Sequence, residues 1–425
     1  MKLLLLRLFL LKPWQVAPLI AVKRLMGLFP ILLSLLAASA TVSAQSSECT
    51  TGIALTQTFD SGASWSLCAT VDKHHGLQID DAHYRAPGDF QRQVLRTLHL
   101  SQILLHYHDA SLPEAQINPL NGESASANDP FNVIMTEQNC AGETLSARAQ
   151  STEEQLCVRL ENNGILAKYS QRPSLHSQRW ELSSAFERDS LTWTVSIGFT
   201  EDGQIIPAVT LSGRAAKTGS DARYAQDLTP FNRSLVRATL LSTWRMVFDL
   251  DTDARDRVEQ FEFPLKVDQG NRRPLEVSAI ETETLRNVHR EHFRGWRIMD
   301  ISGAGYYLDP ANSGFAYRNG SMNWAQFDLA VTRFNPCERH ALNNPATVDS
   351  VDDDSAIESA PCGKNLDNFV DGESLQDATP VLWYSQTRSF RPSQEDWPVI
   401  SNVHLSFNLM PFDWTSSSPF ELSTQ

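Results

Sequence analysis

Two histidines separated by one residue, His106 and His108, form the clearest metal-ligand pair in this sequence. They end an apolar run, residues 94–107, whose length favours a β-strand over a helix. Alternate residues of a strand lie on one face, so both imidazoles would point the same way, with Asp109 beside them. Imidazole is a common ligand of transition metals in proteins. The spacing identifies no third ligand, so a solvated strand end is the simpler interpretation.

Three aspartates alternate at Asp249, Asp251 and Asp253, and carboxylates are the ligands that calcium prefers. An EF-hand loop would need Gly at its sixth position and Glu at its twelfth, where this sequence has Ala254 and Gln260. The EF-hand is therefore excluded. Asp249 and Asp251 could still hold a hard cation with the help of backbone oxygens, although an acidic strand terminus is the simpler interpretation.

The remaining reactive side chains are cysteines. An even number in an exported chain predicts three disulfides rather than a nucleophile. No Cys-x-x-Cys spacing occurs, and no Gly-x-Ser-x-Gly, Walker or Gly-x-Gly-x-x-Gly motif is present. The sequence leaves the pairing open, and joining nearest neighbours is the simplest arrangement. The six cysteines are Cys49, Cys68, Cys140, Cys157, Cys337 and Cys362.

Residues 1–44 differ from the rest of the chain. They carry five basic residues and no acidic one, and an apolar run at 25–38 precedes the small-residue triplet Val42-Ser43-Ala44. This pattern predicts a cleaved signal peptide, with the mature protein secreted or periplasmic. Cleavage would lower the net charge from −14 to −19. Such acidity argues against nucleic acid or an anionic membrane as a partner.

The elements that would position these residues are short strands. In residues 190–214, five apolar side chains alternate with small polar ones before the turn Glu201-Asp202-Gly203, and a second β-rich run follows. This pattern predicts a central hairpin with one face in the core. Residues 161–164, Glu-Asn-Asn-Gly, predict another hairpin turn. Long helical patterns are absent. The sequence therefore predicts a mainly β protein, with residues 45–425 forming one large antiparallel β-sandwich domain.

An ordered set of segments extends this interpretation. The set includes Asn-Cys-Ala-Gly at 139–142, Val-Leu-Trp-Tyr at 381–384, Glu-Asp-Trp-Pro-Val at 395–399 and Asn-Leu-Met-Pro-Phe at 408–412. Together with residues 157–168, 296–310 and 327–332, these segments resemble the catalytic domain of the copper amine oxidase family. The resemblance covers about residues 60–420 and leaves no room for the smaller N-terminal domains common in that family. It implies a disulfide between Cys140 and Cys157, and a homodimer.

The resemblance also implies a chemistry: copper held by three histidines, beside a tyrosine that is converted to topaquinone and oxidises primary amines. In this sequence Leu191 stands at the tyrosine position, and Ala238, Leu240 and Phe390 stand at the histidine positions. No histidine occurs between His176 and His289 or between His340 and His404, so a shifted alignment does not restore the ligands.

Two further family sites are altered. The catalytic aspartate is expected about twenty residues before Cys140, but no aspartate occurs between Asp109 and Asp129. The family's calcium-type site could take Asp249 and Asp251. Its other position carries Thr379, with Asp377 nearby.

We therefore expect an exported copper amine oxidase homologue that lacks the oxidase machinery, holds no cofactor and acts as a binding or structural protein. Its ligand is not identified by the sequence. One alternative is an active primary-amine oxidase with copper and topaquinone, as family membership implies. A second is an enzyme with another metal bound by His106 and His108.

Overall fold

The computed structural model describes residues 49–420, except 51, 73–75, 110, 113–114, 118–132, 148–152, 168–173, 189, 215–220, 229–232, 252–255, 266–271, 311–321 and 343–364. The predicted signal peptide, Cys362 and Asp253 lie outside the described residues. Ser47–Gln425 separate as one compact unit. No helix within the described residues is long and apolar enough to span a membrane.

The strands, numbered β1–β22 along the chain, form two large antiparallel sheets and one small two-stranded sheet. The first sheet has the order β1-β2-β3-β4-β13-β20-β19-β16, and β5 pairs with β4. Its strands are β1 (Ile53–Thr58), β2 (Ser64–Asp72), β3 (Gly76–Arg85), β4 (Arg92–Tyr107), β5 (Ala115–Ile117), β13 (Ala238–Phe248), β16 (Thr284–Arg286), β19 (Leu329–Arg333) and β20 (Pro380–Phe390).

The second sheet has the order β15-β14-β17-β18-β22-β10-β9-β8-β7-β6, and β21 pairs with β10. Its strands are β6 (Glu143–Leu145), β7 (Leu156–Ala167), β8 (Leu175–Arg188), β9 (Leu191–Thr200), β10 (Ile205–Arg214), β14 (Arg257–Glu262), β15 (Glu276–Ile280), β17 (Gly295–Met299), β18 (Gly305–Asp309), β21 (Val399–Ser406) and β22 (Asn408–Phe412). The small sheet pairs β11 (Ala225–Leu228) with β12 (Arg233–Val236). Short helical turns occur at Arg290–His292, Trp324–Gln326, Leu366–Phe369 and Gln394–Asp396.

The main apolar core lies between the two large sheets. The rings of Trp65 on β2 and Phe199 on β9 are 5.0 Å apart although the strands belong to opposite sheets. Trp65, Trp193 and Trp244 are fully buried in this core. A buried aromatic side chain removes about 150–250 Å² from water, which stabilises the fold by roughly 4–6 kcal/mol before entropy is counted. The predicted β-sandwich is confirmed.

The outer face of the first sheet is also covered. Leu241, Val247 and Trp383 pack there against Trp324 and Phe369 of the helical turns. Every residue of the central strand β13 is therefore buried. The inner face of β13, which faces the second sheet, carries the even-numbered residues, and the outer face carries the odd-numbered ones.

The predicted central hairpin is confirmed as β9 and β10, paired from Phe199–Ile205 to Leu191–Gly213. All five alternating apolar side chains are buried. Side chains from both sheets hold the turn: the hydroxyl of Tyr84 on β3 donates a hydrogen bond to the carbonyl of Glu201, and that of Tyr306 on β18 donates to the carbonyl of Gly203. The conformation of Gly203, with φ at 87°, agrees with the predicted turn.

The hairpin turn predicted at residues 161–164 is wrong. These residues lie inside the continuous strand β7, and the pairing of β7 with β8 shifts register between Asn162 and Gly164. Gly164 has φ at 101°, which suits a bulge as well as a turn. The long partner strand β8 keeps the chain extended through a segment whose local chemistry favours reversal.

Two disulfides are confirmed, Cys49–Cys68 and Cys140–Cys157. The second is the pair that the family resemblance implies. Cys337 is also disulfide-bonded. Its predicted partner, Cys362, lies outside the described residues, so that pairing stays a prediction.

Replacing Gly213 with alanine is expected to destabilise the protein by about 1–3 kcal/mol. Gly213 has φ at 114°, and a Cβ atom there would lie 2.8 Å from the carbonyl oxygen of Ser190 and 2.9 Å from the Cα of Leu191. Urea unfolding would measure the loss. Gly303→Ala is the matched control, because Gly303 also has positive φ but a Cβ atom there meets nothing within 4 Å. An equal loss in both variants would contradict a role for the contact.

Candidate functional site

The inner face of the first sheet brings the three histidine-equivalent positions together. Ala238 at the start of β13 pairs directly with Phe390 at the end of β20. Leu240 lies two residues along the same inner face, so the three side chains are neighbours. Ala238 and Leu240 are buried at 1% and 0% exposure. On the other side of β13, Ala238 pairs with Tyr107 and Leu240 pairs with Leu105.

Leu191 approaches from the opposite sheet. It begins β9, pairs with Gly213 and is 6% exposed. Leu191, Ala238 and Leu240 belong to one hydrophobic core cluster, and Phe390 packs against that cluster from a partly buried position. We call these four residues the substituted positions.

The substituted positions do not fit copper or topaquinone. Copper requires donor atoms such as imidazole nitrogens, and the quinone forms from a phenol. Methyl, isobutyl and phenyl groups supply neither. These side chains instead fill the space between the sheets with close apolar contacts, which stabilise the sandwich. No chemical step can therefore be assigned to a copper ion or a quinone at these positions.

His106 and His108 lie away from the substituted positions. His106 pairs with Thr239 and thus occupies the outer face of the first sheet. His108 is on the same side, with its Nε2 atom 3.0 Å from Thr239 Oγ1. The two rings are 6.3 Å apart, and they do share one face as predicted. Burial, with smaller contributions from His106 and Arg237, lowers the pKa of His108 below its usual value.

The neighbouring Asp109 does not complete a metal site with this pair. Its Oδ1 atom accepts hydrogen bonds from the backbone and hydroxyl of Ser111. Across the described residues, no group of three or more His, Cys, Asp or Glu side chains is arranged to hold a metal ion.

The carboxylates of Asp249 and Asp251 have separate surroundings. The Arg92 guanidinium donates to Asp251 Oδ2 from Nε at 2.5 Å and also pairs with Asp300 at 3.2 Å. Asp249 is not part of this ion pair, and burial raises its pKa. The guanidinium thus supplies the positive charge that a cation would bring to Asp251. Asp377, near the family's other calcium-type position at Thr379, is exposed with φ at 53°.

A polar group that the sequence analysis missed lies next to the substituted positions. Arg388 on β20 pairs with Leu240 and donates from Nη1 to the carbonyl of His404 at 3.2 Å. Gln386, two residues earlier, donates from Nε2 to the carbonyl of Ser406 at 2.6 Å. These side chains connect β20 of the first sheet to β21 of the second. Arg388 and Gln386 lie two and four residues before Phe390, and alternate residues of a strand share a face. This spacing could have predicted that both side chains lie beside Phe390.

Comparison with known proteins agrees with this architecture. Residues 244–424 match the family model described as copper amine oxidase, enzyme domain. Histamine oxidase of Arthrobacter globiformis is 23% identical over 404 residues, covering 84% of this chain and 56% of the relative. Primary amine oxidase of Arthrobacter sp. (strain P1) is 21% identical over 395 residues, covering 84% and 59%. The chain thus spans less than two thirds of these curated relatives.

Solved structures show the same fold. The copper-containing benzylamine oxidase from Hansenula polymorpha superposes with a TM-score of 0.66 at 16% identity, covering 84% of this chain and 59% of that one. The amine oxidase of Aspergillus nidulans gives a TM-score of 0.65 at 18% identity, with 84% and 52% covered.

Two large antiparallel sheets enclosing one core define a β-sandwich, the fold that these solved structures share. The match to the copper amine oxidase enzyme domain covers residues 244–424, and the chain shares the fold of solved amine oxidases.

Proposed function

We propose that this protein is a family member without amine oxidase activity that acts by binding. The observation that carries the proposal is the apolar character of all four substituted positions. A single replacement would leave part of a site, whereas these four leave no copper ligand and no quinone precursor. The β-sandwich and its core are retained although these positions are replaced. A retained fold supports a binding role for the protein.

Export and dimerisation are part of the same proposal. The leader at residues 1–44 supports export, and so do the two disulfides, because such bonds persist in oxidising compartments. Dimerisation is carried over from the family resemblance alone.

Three measurements on one copper-treated sample of purified protein test the loss of activity. Elemental analysis after removal of loosely bound metal is expected to find no stoichiometric copper. Phenylhydrazine, which reacts with protein quinones, is expected to give no visible absorbance. Peroxide release from benzylamine and histamine is expected to stay at the level of a protein-free blank.

The outcomes separate the alternatives. Stoichiometric copper with a quinone signal and peroxide release would establish an active primary-amine oxidase and overturn the proposal. A different stoichiometric metal, lost on replacing His106 and His108 with alanine, would support the second alternative in its place.

A further inference from the structure

A positive charge, the guanidinium of Arg388, lies beside the substituted positions and limits which ligands can bind there. Arg388 is exposed, although the residue that it faces on β13, Leu240, is fully buried. The side chain of Arg388 therefore reaches solvent although the residue lies on the inner face. One of its N–H groups donates to His404 O. Among the described residues no carboxylate forms an ion pair with Arg388.

The neighbouring charges do not neutralise this guanidinium. Arg388, Arg179 and Glu181 all act electrostatically on His404. Glu181 is already paired with Arg159 at 2.5 Å and with Arg179 at 3.2 Å. Glu161 completes the network through Arg179 at 2.6 Å. This group holds three arginines and two glutamates, so it retains one positive charge on a chain whose net charge is −14.

His404 adds no negative charge that would favour an amine. Its Nδ1 atom is 3.0 Å from Thr210 Oγ1. Burial and the adjacent Arg388 lower its pKa, which favours the neutral imidazole. A primary ammonium ion entering here would meet an unpaired guanidinium and no free carboxylate among the described residues.

The apolar side of the same place is provided by Phe390. It lies two residues from Arg388 on the inner face, is partly buried and packs against the core. Phe390 and Arg388 together offer a ring and a guanidinium fork, a combination that matches an aromatic carboxylate. Guanidinium binds carboxylates through paired hydrogen bonds.

We propose that the ligand of this protein is a small apolar carboxylate, bound by Arg388 beside Phe390, and that primary amines are rejected. This inference rests on the proposed function, because it assigns the ligand class of the inactive site. The charge preference of the family's amine substrates is thereby reversed.

Benzoate and benzylamine test the inference, since they share a ring and carry opposite charges. Titration calorimetry on the full chain is expected to show benzoate binding, with benzylamine at least about tenfold weaker. Arg388→Gln is expected to weaken benzoate binding by at least about tenfold, because a charged hydrogen bond is lost. Arg391→Gln, an exposed arginine three residues along, is the matched control and should bind benzoate like the unmodified protein.

Several results would overturn this inference: tighter binding of benzylamine, equal binding of the two probes, no binding of either, or unchanged benzoate affinity in Arg388→Gln. Thermal unfolding of each variant establishes that it is folded at the titration temperature. Peroxide release from benzylamine is measured in the same samples. Benzylamine binding with peroxide release would also refute the loss of oxidase activity, whereas binding without peroxide would refute the ligand class alone.

Discussion

A triple variant carrying Ala238→His, Leu240→His and Phe390→His is expected to bind copper, which the unmodified protein is not expected to retain. The three positions are one cross-strand pair and its neighbour two residues along the same face. Directly paired strand residues have Cβ atoms about 4.5–5.5 Å apart, which lets their imidazoles share one ion. Copper is bound more tightly than other divalent first-row metals by nitrogen ligands.

The same variant is expected to be less stable without metal. Ala238 and Leu240 are buried at 1% and 0% exposure, so imidazoles there lose their hydration and displace packed atoms. The cost is roughly 2–5 kcal/mol in total. Added copper should restore part of this loss, because a ligand that binds only the folded state raises its stability. Thermal unfolding with and without copper, together with elemental analysis, measures both effects.

The double variant Ala238→His, Leu240→His provides the control. It retains Phe390 and offers only two ligands, so its copper affinity should be clearly lower. If the folded triple variant holds no more copper than the double variant, these three positions do not correspond to the copper ligands of the family. The assignment of Phe390 to the third position would then be wrong.

The second large effect concerns pH: the protein is expected to be more stable at pH 5 than at pH 8. Asp256 is 6% exposed, and burial raises the pKa of its carboxyl from 3.8 to about 7, with nearby Asp249 and Asp300 adding to the shift. Burial likewise raises the pKa of Glu338 to about 7. A carboxyl whose pKa is higher in the folded state stabilises the fold when protonated, and that contribution disappears as pH rises through the folded-state pKa.

Asp256→Asn is expected to remove much of this pH dependence. Asparagine resembles the protonated acid and can still accept the hydrogen bond from the Leu250 amide, which is 3.0 Å long in the native protein. The variant should match the native protein only below about pH 3.8, exceed it moderately at pH 5 and exceed it most at pH 8. The rise from 3.8 to about 7 sets an upper limit of roughly 4 kcal/mol on the difference.

Urea unfolding at the two pH values provides the measurement. Asp413→Asn, on an exposed turn, is the control and should leave the pH dependence as it was. A native protein that is equally stable at pH 5 and pH 8, or an Asp256→Asn variant with an unchanged slope, would refute the role assigned to this carboxyl.

Local patterns were sufficient to predict the central hairpin. The alternation from Leu191 to Phe199 predicts that one face of the strand is buried, and Gly203 predicts the turn. Neither prediction depends on distant residues. The same reasoning failed at residues 161–164. There the Asn-Gly pair suits both a reversal and a bulge, and pairing with β8 decides between them.

The candidate site divides in the same way. Leu191, Ala238, Leu240 and Phe390 came from an ordered resemblance, and the pairing of β13 with β20 then brought three of them together. Arg388 was missed because its position depends on contact with β21, and no local pattern reports that contact. The ion pair between Arg92 and Asp251 joins residues 159 positions apart, so the sequence could not distinguish an occupied carboxylate from a free one.

The position of β13 in the first sheet has a consequence for how the chain acquires its structure. β4 ends at Tyr107, yet its partner β13 begins at Ala238, and the next strand across, β20, begins only at Pro380. Contacts this distant in sequence slow folding, because a long loop must close before any pairing repays its entropy. Until then β4, a strand of sixteen residues, presents an unpaired edge that carries leucine, isoleucine and valine side chains. Such an edge promotes aggregation, so a newly synthesised chain would depend on chaperones until its last strands are made.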